Sequence, residues 1–333
     1  MSVVNNGKPE TIGRFRAWKK RLDKRLSKKY NMEDRSGFLF CYLMLLLPFI
    51  TFIVFWLYVN IDSILLAFKM NDRFTMENFR NVWTAIVDED GWGYHLPDIL
   101  KRTFIVWLVS QATLIPSMLS TYILYKKLPG HYVFRTIYMI PGTLGGVILS
   151  MIYKHFVGAN GPLITLLQNM GVHLSDEIVL KGFLGSSKTA FTTLNLMIFI
   201  PGIFSFSFII SGAFARIPEE LYEVGKLEGI GFIKEFFVVA LPLVWGTLII
   251  IVIGALAGIL TTDNGSFIYT KGQYDTACMG YYLFILQKQI SDTNGDTSLL
   301  GYPAAIGLTL TLITLPIVLI TRTIMEKVND VAY

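Results

Sequence analysis

Charge is what this chain has least of. Only 16% of its 333 residues are Asp, Glu, Lys or Arg, 53% are hydrophobic, and the mean hydropathy is +0.52. An ordinary soluble domain carries more charge and is excluded. The two cysteines, Cys41 and Cys278, lie in different segments, which argues against both a thiolate metal site and a disulfide framework. The four histidines, His95, His131, His155 and His173, lack metal-ligand spacing, and no catalytic constellation accompanies them. No stretch rich in Pro, Ser or Gly marks off a second domain. A cleavable leader is not expected either, because the basic region before residue 36 is long and no small-residue cleavage site follows the first apolar run.

What is present is lipid-soluble. Six runs without Asp, Glu, Lys or Arg, at 36–61, 103–125, 136–153, 189–215, 236–262 and 297–321, meet or approach the roughly 20 residues a helix needs to cross hydrocarbon. Lipid offers backbone groups no partner, so such runs must be helical. A seventh uncharged stretch, 155–175, is interrupted by Gly158, Gly161, Pro162 and Gly171 and reads as a re-entrant or surface segment. The fold class expected is an all-α polytopic membrane protein with six transmembrane helices, its membrane domain spanning 36–322.

Lys and Arg set the orientation, because cytoplasmic loops carry the excess. The tail 1–35 holds 11 of them, the connections 126–135 and 216–235 hold 3 each, and the tail 323–333 with Arg322 holds 2. The longer connections on the other side hold 10 in all, so both termini are expected in the cytoplasm. Connections 62–102 and 263–296 then lie outside; within the second, the uncharged stretch 276–287 should rest at the surface or dip partway in. Before Ser36, Phe15, Trp18, Leu22 and Leu26 fall on one stripe of a helix among basic residues, the pattern of a segment lying on anionic lipid. The same charge would suit nucleic acid, but here it runs directly into a membrane span.

Within the runs, Gly142, Gly145, Gly146, Gly202, Gly212, Gly254 and Gly258 allow close helix approach, the last two spaced as GxxxG, although ordinary packing accounts for any one of them. Pro141, Pro201 and Pro242 are expected to kink or end helices, and a kink at Pro201 would free carbonyls toward a cavity. Gly182 followed by Ser187-Lys188-Thr189 approaches a phosphate-binding loop, but Ser187 replaces the second glycine and no strand precedes it.

One connection is patterned beyond what a loop needs. From Pro218 to Pro242 the chain reads PEELYEVGKLEGIGFIKEFFVVALP. It resembles the EAA motif of permease subunits in binding-protein-dependent ABC importers: EAA, three residues, Gly, nine residues, an aliphatic, any residue, then Leu-Pro. Glu223, Gly229, Val239 and Leu241-Pro242 match with no gap, while Val224 and Gly225 replace the alanines, Glu228 a frequent Asp, and Ile230 an alanine. The preceding IPEELYE is similar to the carbohydrate branch. FRTIYMIPG (Phe134 to Gly142) and NGPL (Asn160 to Leu163) resemble that family's third core span and the turn after it. YTKGQYDT (Tyr269 to Thr276) resembles the segment before its last span, with Gln273 and Tyr274 in place of Gly and Pro. The whole is nearest to the larger maltose-type subunit.

The resemblance implies a type I importer permease fold in a bacterial or archaeal cytoplasmic membrane. It implies a second homologous permease, two cytoplasmic ATPase subunits that hold the ATP and magnesium, and an extracytoplasmic solute-binding protein; this chain itself would bind no cofactor and catalyse nothing. The ATPase-coupling residues would be Glu219, Glu220, Leu221, Tyr222, Glu223, Gly225, Leu227 and Gly229. Glu219, Glu220 and Glu223 suit the first turns of a helix opening at Pro218, which should end near Gly229 or Gly231. Leu221, Tyr222 and Leu227 would have no core of their own and would enter an ATPase groove; the bland alternative is a surface helix docked on its own subunit. Substrate contacts are implied for the fourth and fifth spans, where Asn195, Phe204, Ser205, Ser207, Trp245, Thr261, Thr262 and Asp263 offer aromatic and hydrogen-bonding groups, although Phe and Trp in spans often face lipid. The rivals are a secondary transporter, which would show inverted repeats or an intramembrane ion-coupling charge, a permease for glycerol phosphate, and a membrane-bound enzyme.

Overall fold

A computed structural model describes residues 35–70, 73–90, 93–126, 130–292 and 300–331. The amphipathic stripe from Phe15 to Leu26 lies outside them. Two compact units divide the chain, one ending at Ser63 and the next beginning at Ile64.

Along the chain, α1 (Arg35–Thr51) passes into a π-helical stretch, Phe52–Tyr58, and then α2 (Val59–Ala67), whose residues from Ile64 onward belong to the second unit. Pro48 sits inside α1; it has no amide to donate, and its ring crowds the carbonyl four residues earlier, so the widened turns just beyond it are accounted for. Thr51 Oγ1 donates to Leu47 O and Pro48 O. From Phe40 to Leu65 the segment is exposed, as a helix solvated by lipid is, and Ala67 at its end is buried.

After α2 comes a short antiparallel hairpin, β1 (Lys69–Met70) and β2 (Arg73–Phe74), Lys69 opposite Phe74. Then come α3 (Glu77–Val87), α4 (Leu96–Ala112) and α5 (Leu114–Tyr125). Together α4 and α5 form one span that begins at Leu96, earlier than charge placement suggested, because Lys101 and Arg102 are carried inside the helix and Arg102 pairs with Asp275 at 2.7 Å.

The third apolar run folds as two helices, α6 (His131–Thr143) and α7 (Gly146–Val157). Leu144 and Gly145 between them are extended, where Pro141 and the glycines weaken helix. Five continuous helices long and apolar enough to span are therefore found among the described residues: Phe40–Ala67, Leu96–Tyr125, Ala190–Phe214, Phe232–Ala257 and Gly301–Val328. The remaining run, 136–153, supplies this broken pair.

After α8 (Pro162–Asn169) and α9 (Asp176–Lys181), α10 (Ala190–Ser205) and α11 (Ser207–Phe214) form the next span. Pro201 sits inside α10; just beyond it, Ser205 Oγ donates to the Pro201 carbonyl and Tyr138 Oη, from α6, donates to that of Ile203 at 2.7 Å. A connection containing α12 (Glu219–Leu227) and α13 (Phe232–Glu235) leads through a π-helical segment, Phe236–Ala240, into α14 (Leu241–Ala257). Pro242 opens α14 just past the π turn, which relieves its clash with the preceding turn. A 3-10 turn (Ile259–Thr261), α15 (Ser266–Tyr269), α16 (Met279–Asp292) and α17 (Gly301–Val331) complete the chain, and α17 continues past Thr321 without a break.

Close packing is local. A Cβ on Gly202 would meet Thr113 Cγ2 at 2.7 Å, so α10 can approach the α4–α5 junction only with glycine there. Gly254 has no atom within 4 Å of such a Cβ, so the GxxxG spacing brings no backbone close within this chain. The stretch expected at the surface, 276–287, is instead largely α16, whose Met279, Tyr282 and Leu286 are fully buried against Leu96, Ile99 and Ile306.

Candidate functional site

The patterned connection folds as its chemistry requires. Glu219 and Glu220 occupy the first turn of α12, where carboxylates meet the positive helix end. The helix stops because Gly229 is left-handed, φ +72°, and Ile230 N donates to Gly225 O at 2.9 Å, the six-to-one bond of a Schellman turn. Residues with a Cβ resist that φ.

Two faces of α12 separate cleanly. Tyr222, at 5% exposure, and Gly225 are buried; Leu221, Val224 and Leu227 are exposed, Leu227 at 89%, as are Glu219, Glu220 and Glu223. Tyr222 thus corrects the expectation that all three apolar residues lack a core. It enters one formed by Tyr122, Phe214, Phe236 and Val244, where its ring lies tilted beside that of Tyr125 at the end of α5. Its hydroxyl finds no hydrogen-bond partner, and burial, then Tyr125 and Glu235, pushes it well above the usual tyrosine range.

A buried ion pair fastens this core. Lys126, just past α5, pairs with Glu235 at the end of α13, and Tyr122 Oη donates to the same Glu235 Oε1 at 2.7 Å. Lys126 Nζ lies 3.8 Å from the centroid of the Tyr222 ring, a cation–π contact worth about 2 kcal/mol when desolvated. Sequence reasoning missed this network. Its trace was there: one basic and one acidic residue abutting the ends of two apolar runs, positions where an unpaired charge is costly.

The expected substrate contacts scatter. Thr261 and Asp263 do meet, in a cavity of about 260 Å³ with Phe267, Tyr281 and Phe284. Asp263 Oδ2 accepts from Gly265 N at 2.8 Å and Oδ1 from Ser266 Oγ at 2.6 Å, leaving lone pairs for a ligand. Thr262 Oγ1 turns back to Gly258 O. Asn195 carries a buried Oδ1 without a partner in α10. Ser205 and Ser207 hydroxyls bond their own helix turns, and Phe204 packs edge-on to Tyr138. Trp245 is elsewhere, its indole donating to Met325 O of α17 at 3.0 Å. The three aromatic residues beside Asp263 went unnoticed because they lie beyond the apolar runs, in a fold-dependent alignment of α15 and α16.

Strain marks the same loop. Lys271, Tyr274 and Asp275 are left-handed, with φ of 52°, 58° and 57°, each costing about 1–2 kcal/mol for a residue with a Cβ. Tyr281 Oη donates to Lys271 O at 2.6 Å, and Arg102 holds Asp275. Strain kept by such contacts gathers at functional loops.

No family model matches the chain. It is 27% identical over 188 residues to the probable ABC transporter permease protein YurN of Bacillus subtilis, covering 55% of this chain and 60% of that protein. To YesP, another probable ABC transporter permease protein of Bacillus subtilis, identity is 23%, covering 74% and 77%. To the arabinooligosaccharides transport system permease protein AraP of the same organism it is 22%, covering 82% and 85%. Among solved structures, a chain of a bacterial ABC transporter involved in the import of the acidic polysaccharide alginate matches with TM-score 0.66 and 18% identity, covering 91% of this chain and 99% of that one. A chain of the bacterial alginate transporter in complex with an alginate pentasaccharide-bound periplasmic protein gives 0.67 and 19%, covering 92% and 98%.

Proposed function

We propose that this chain, an ABC importer permease by fold and a relative of ABC transporter permeases, forms half of a path by which a sugar or oligosaccharide enters the cell. The observation that carries the proposal is α12: an exposed apolar stripe, Leu221, Val224 and Leu227, on a helix clamped from behind by Tyr222 and the Lys126–Glu235 pair. A helix so held transmits force instead of absorbing it. Its apolar stripe fits a groove on an ATPase subunit, a reading that has α12 and both termini in the cytoplasm, in accord with the Lys and Arg excess.

A second permease completes the path, two ATPase subunits bind ATP and magnesium, and a solute-binding protein delivers cargo outside. ATP-driven closure of the ATPase pair moves the two coupling helices as rigid bodies, and it turns the path only if the closed pair holds one permease state better than the other. The name of AraP and the cargo of the alginate importer support a carbohydrate. So does the cavity at Asp263, where aromatic faces sit beside a carboxylate and a hydroxyl, the mix of apolar walls and few polar groups that orients a small ligand.

Reconstituted with its partners, the Glu223→Lys and Gly229→Asp variants should lose transport while remaining in the membrane at normal level. Normal transport by both variants would overturn the assignment of α12.

A further inference from the structure

We propose that a separate cavity of about 330 Å³ between α5, α6 and α11 binds an anionic phosphate group, as on a phospholipid headgroup. Its polar lining includes Thr121, His131, Tyr132, Arg135, Ser207 and Ser211. No carboxylate is among the described lining residues, so the electrostatics favour an anion. Arg135 forms no salt bridge among the described residues, although its guanidinium is built for phosphate oxygens.

Two further features converge there. The first turn of α6, a 13-residue helix, lines the cavity, and its N-cap is Gly130 with no side-chain cap, leaving the positive end of the helix dipole for a ligand. Thr121, only 3% exposed, is among the lining residues, and its hydroxyl has no hydrogen-bond partner. Such a buried donor is costly until an acceptor arrives. Exposed Tyr132 and Phe208 border the cavity with apolar surface, the pairing of cation and apolar wall that a phospholipid fills. Basic pockets between spans on the cytoplasmic side hold anionic headgroups. The leaflet rests on the orientation proposed above; the binding does not.

The test is native mass spectrometry of the full chain with its co-purifying subunits, titrated with phosphatidylglycerol or phosphatidylcholine. Wild type should retain phosphatidylglycerol over phosphatidylcholine, and Arg135→Gln should cut that preference roughly fivefold, the effect of one basic residue at an anionic surface. Arg135→Lys should keep part of it, and Arg322→Gln, a control at an exposed pair on α17, should change nothing. In a parallel thermal-shift arm, stabilisation by inorganic phosphate that is lost in Arg135→Gln supports the site with a soluble source. Undiminished phosphatidylglycerol preference in Arg135→Gln, together with no phosphate effect that depends on Arg135, overturns the proposal, whether or not transport is coupled through α12.

Discussion

Two short helices stand outside the apolar runs, and their apolar faces meet opposite fates. In α16, Met279, Tyr282 and Leu286 are swallowed by the subunit, and hydrogen bonds lock them: Tyr282 Oη donates to Asp90 at 2.5 Å and Met279 N to Thr103 Oγ1 at 2.8 Å. Among the described side-chain positions of α12, Tyr222 and Gly225 turn inward, a charge pair with a buried Glu235 holds them, and Leu221, Val224 and Leu227 stay outside. A loop helix with its apolar face inside is scaffold. One that is anchored firmly and keeps its leucines outside is shaped for a partner.

That contrast breaks first at Leu227. Leu227→Asp should abolish transport, measured as sugar uptake into proteoliposomes, while leaving the yield of folded chain unchanged; loss of folding instead would make α12 scaffold as well. Next comes the clamp. Lys126→Met strands Glu235 in the core and should destabilise by about 3–5 kcal/mol, and a Lys126→Met/Glu235→Leu double variant should regain most of it. Thermal unfolding in detergent reads both, and equal losses in single and double variants would show that the pair is not what holds the helix.

The same substitution then separates the two helices. Leu286→Ala should cost about 2–5 kcal/mol as a buried deletion, whereas Leu227→Ala should stay within about 0.5 kcal/mol as a surface change and lower transport all the same. Tyr222→Phe should act in the other direction. Its buried hydroxyl has no partner, so removing it should cost no stability and should add about 1 kcal/mol by relieving an unsatisfied polar group.

Much of this architecture is legible in the residues alone. Lipid solubility is written in the absence of charge, which is why five of six apolar runs appear as continuous helices; the third broke where Pro141 and neighbouring glycines outweighed its hydropathy. The turn at Gly229 was legible because only one residue type fits a left-handed helix end cheaply. Tyr222 was misplaced because a loop residue's burial depends on which span ends beside it, and Tyr125 is nearly a hundred positions away. Lys126 and Glu235 looked like ordinary loop charges for the same reason. The site at Asp263 was half legible: Thr261 and Asp263 mark a helix end, but the aromatic wall from Phe267, Tyr281 and Phe284 exists only once α16 folds back against the 3-10 turn. Trp245 lies apart from that cluster, its indole donating to Met325 O of α17.

The most direct test of the central claim is contact at α12. With Cys41 and Cys278 replaced by serine, Leu227→Cys should cross-link to an ATPase subunit in inside-out vesicles, with the yield changing when ATP is added. Absence of any adduct, or modification of that cysteine by an impermeant thiol reagent applied from outside intact cells, would contradict the account.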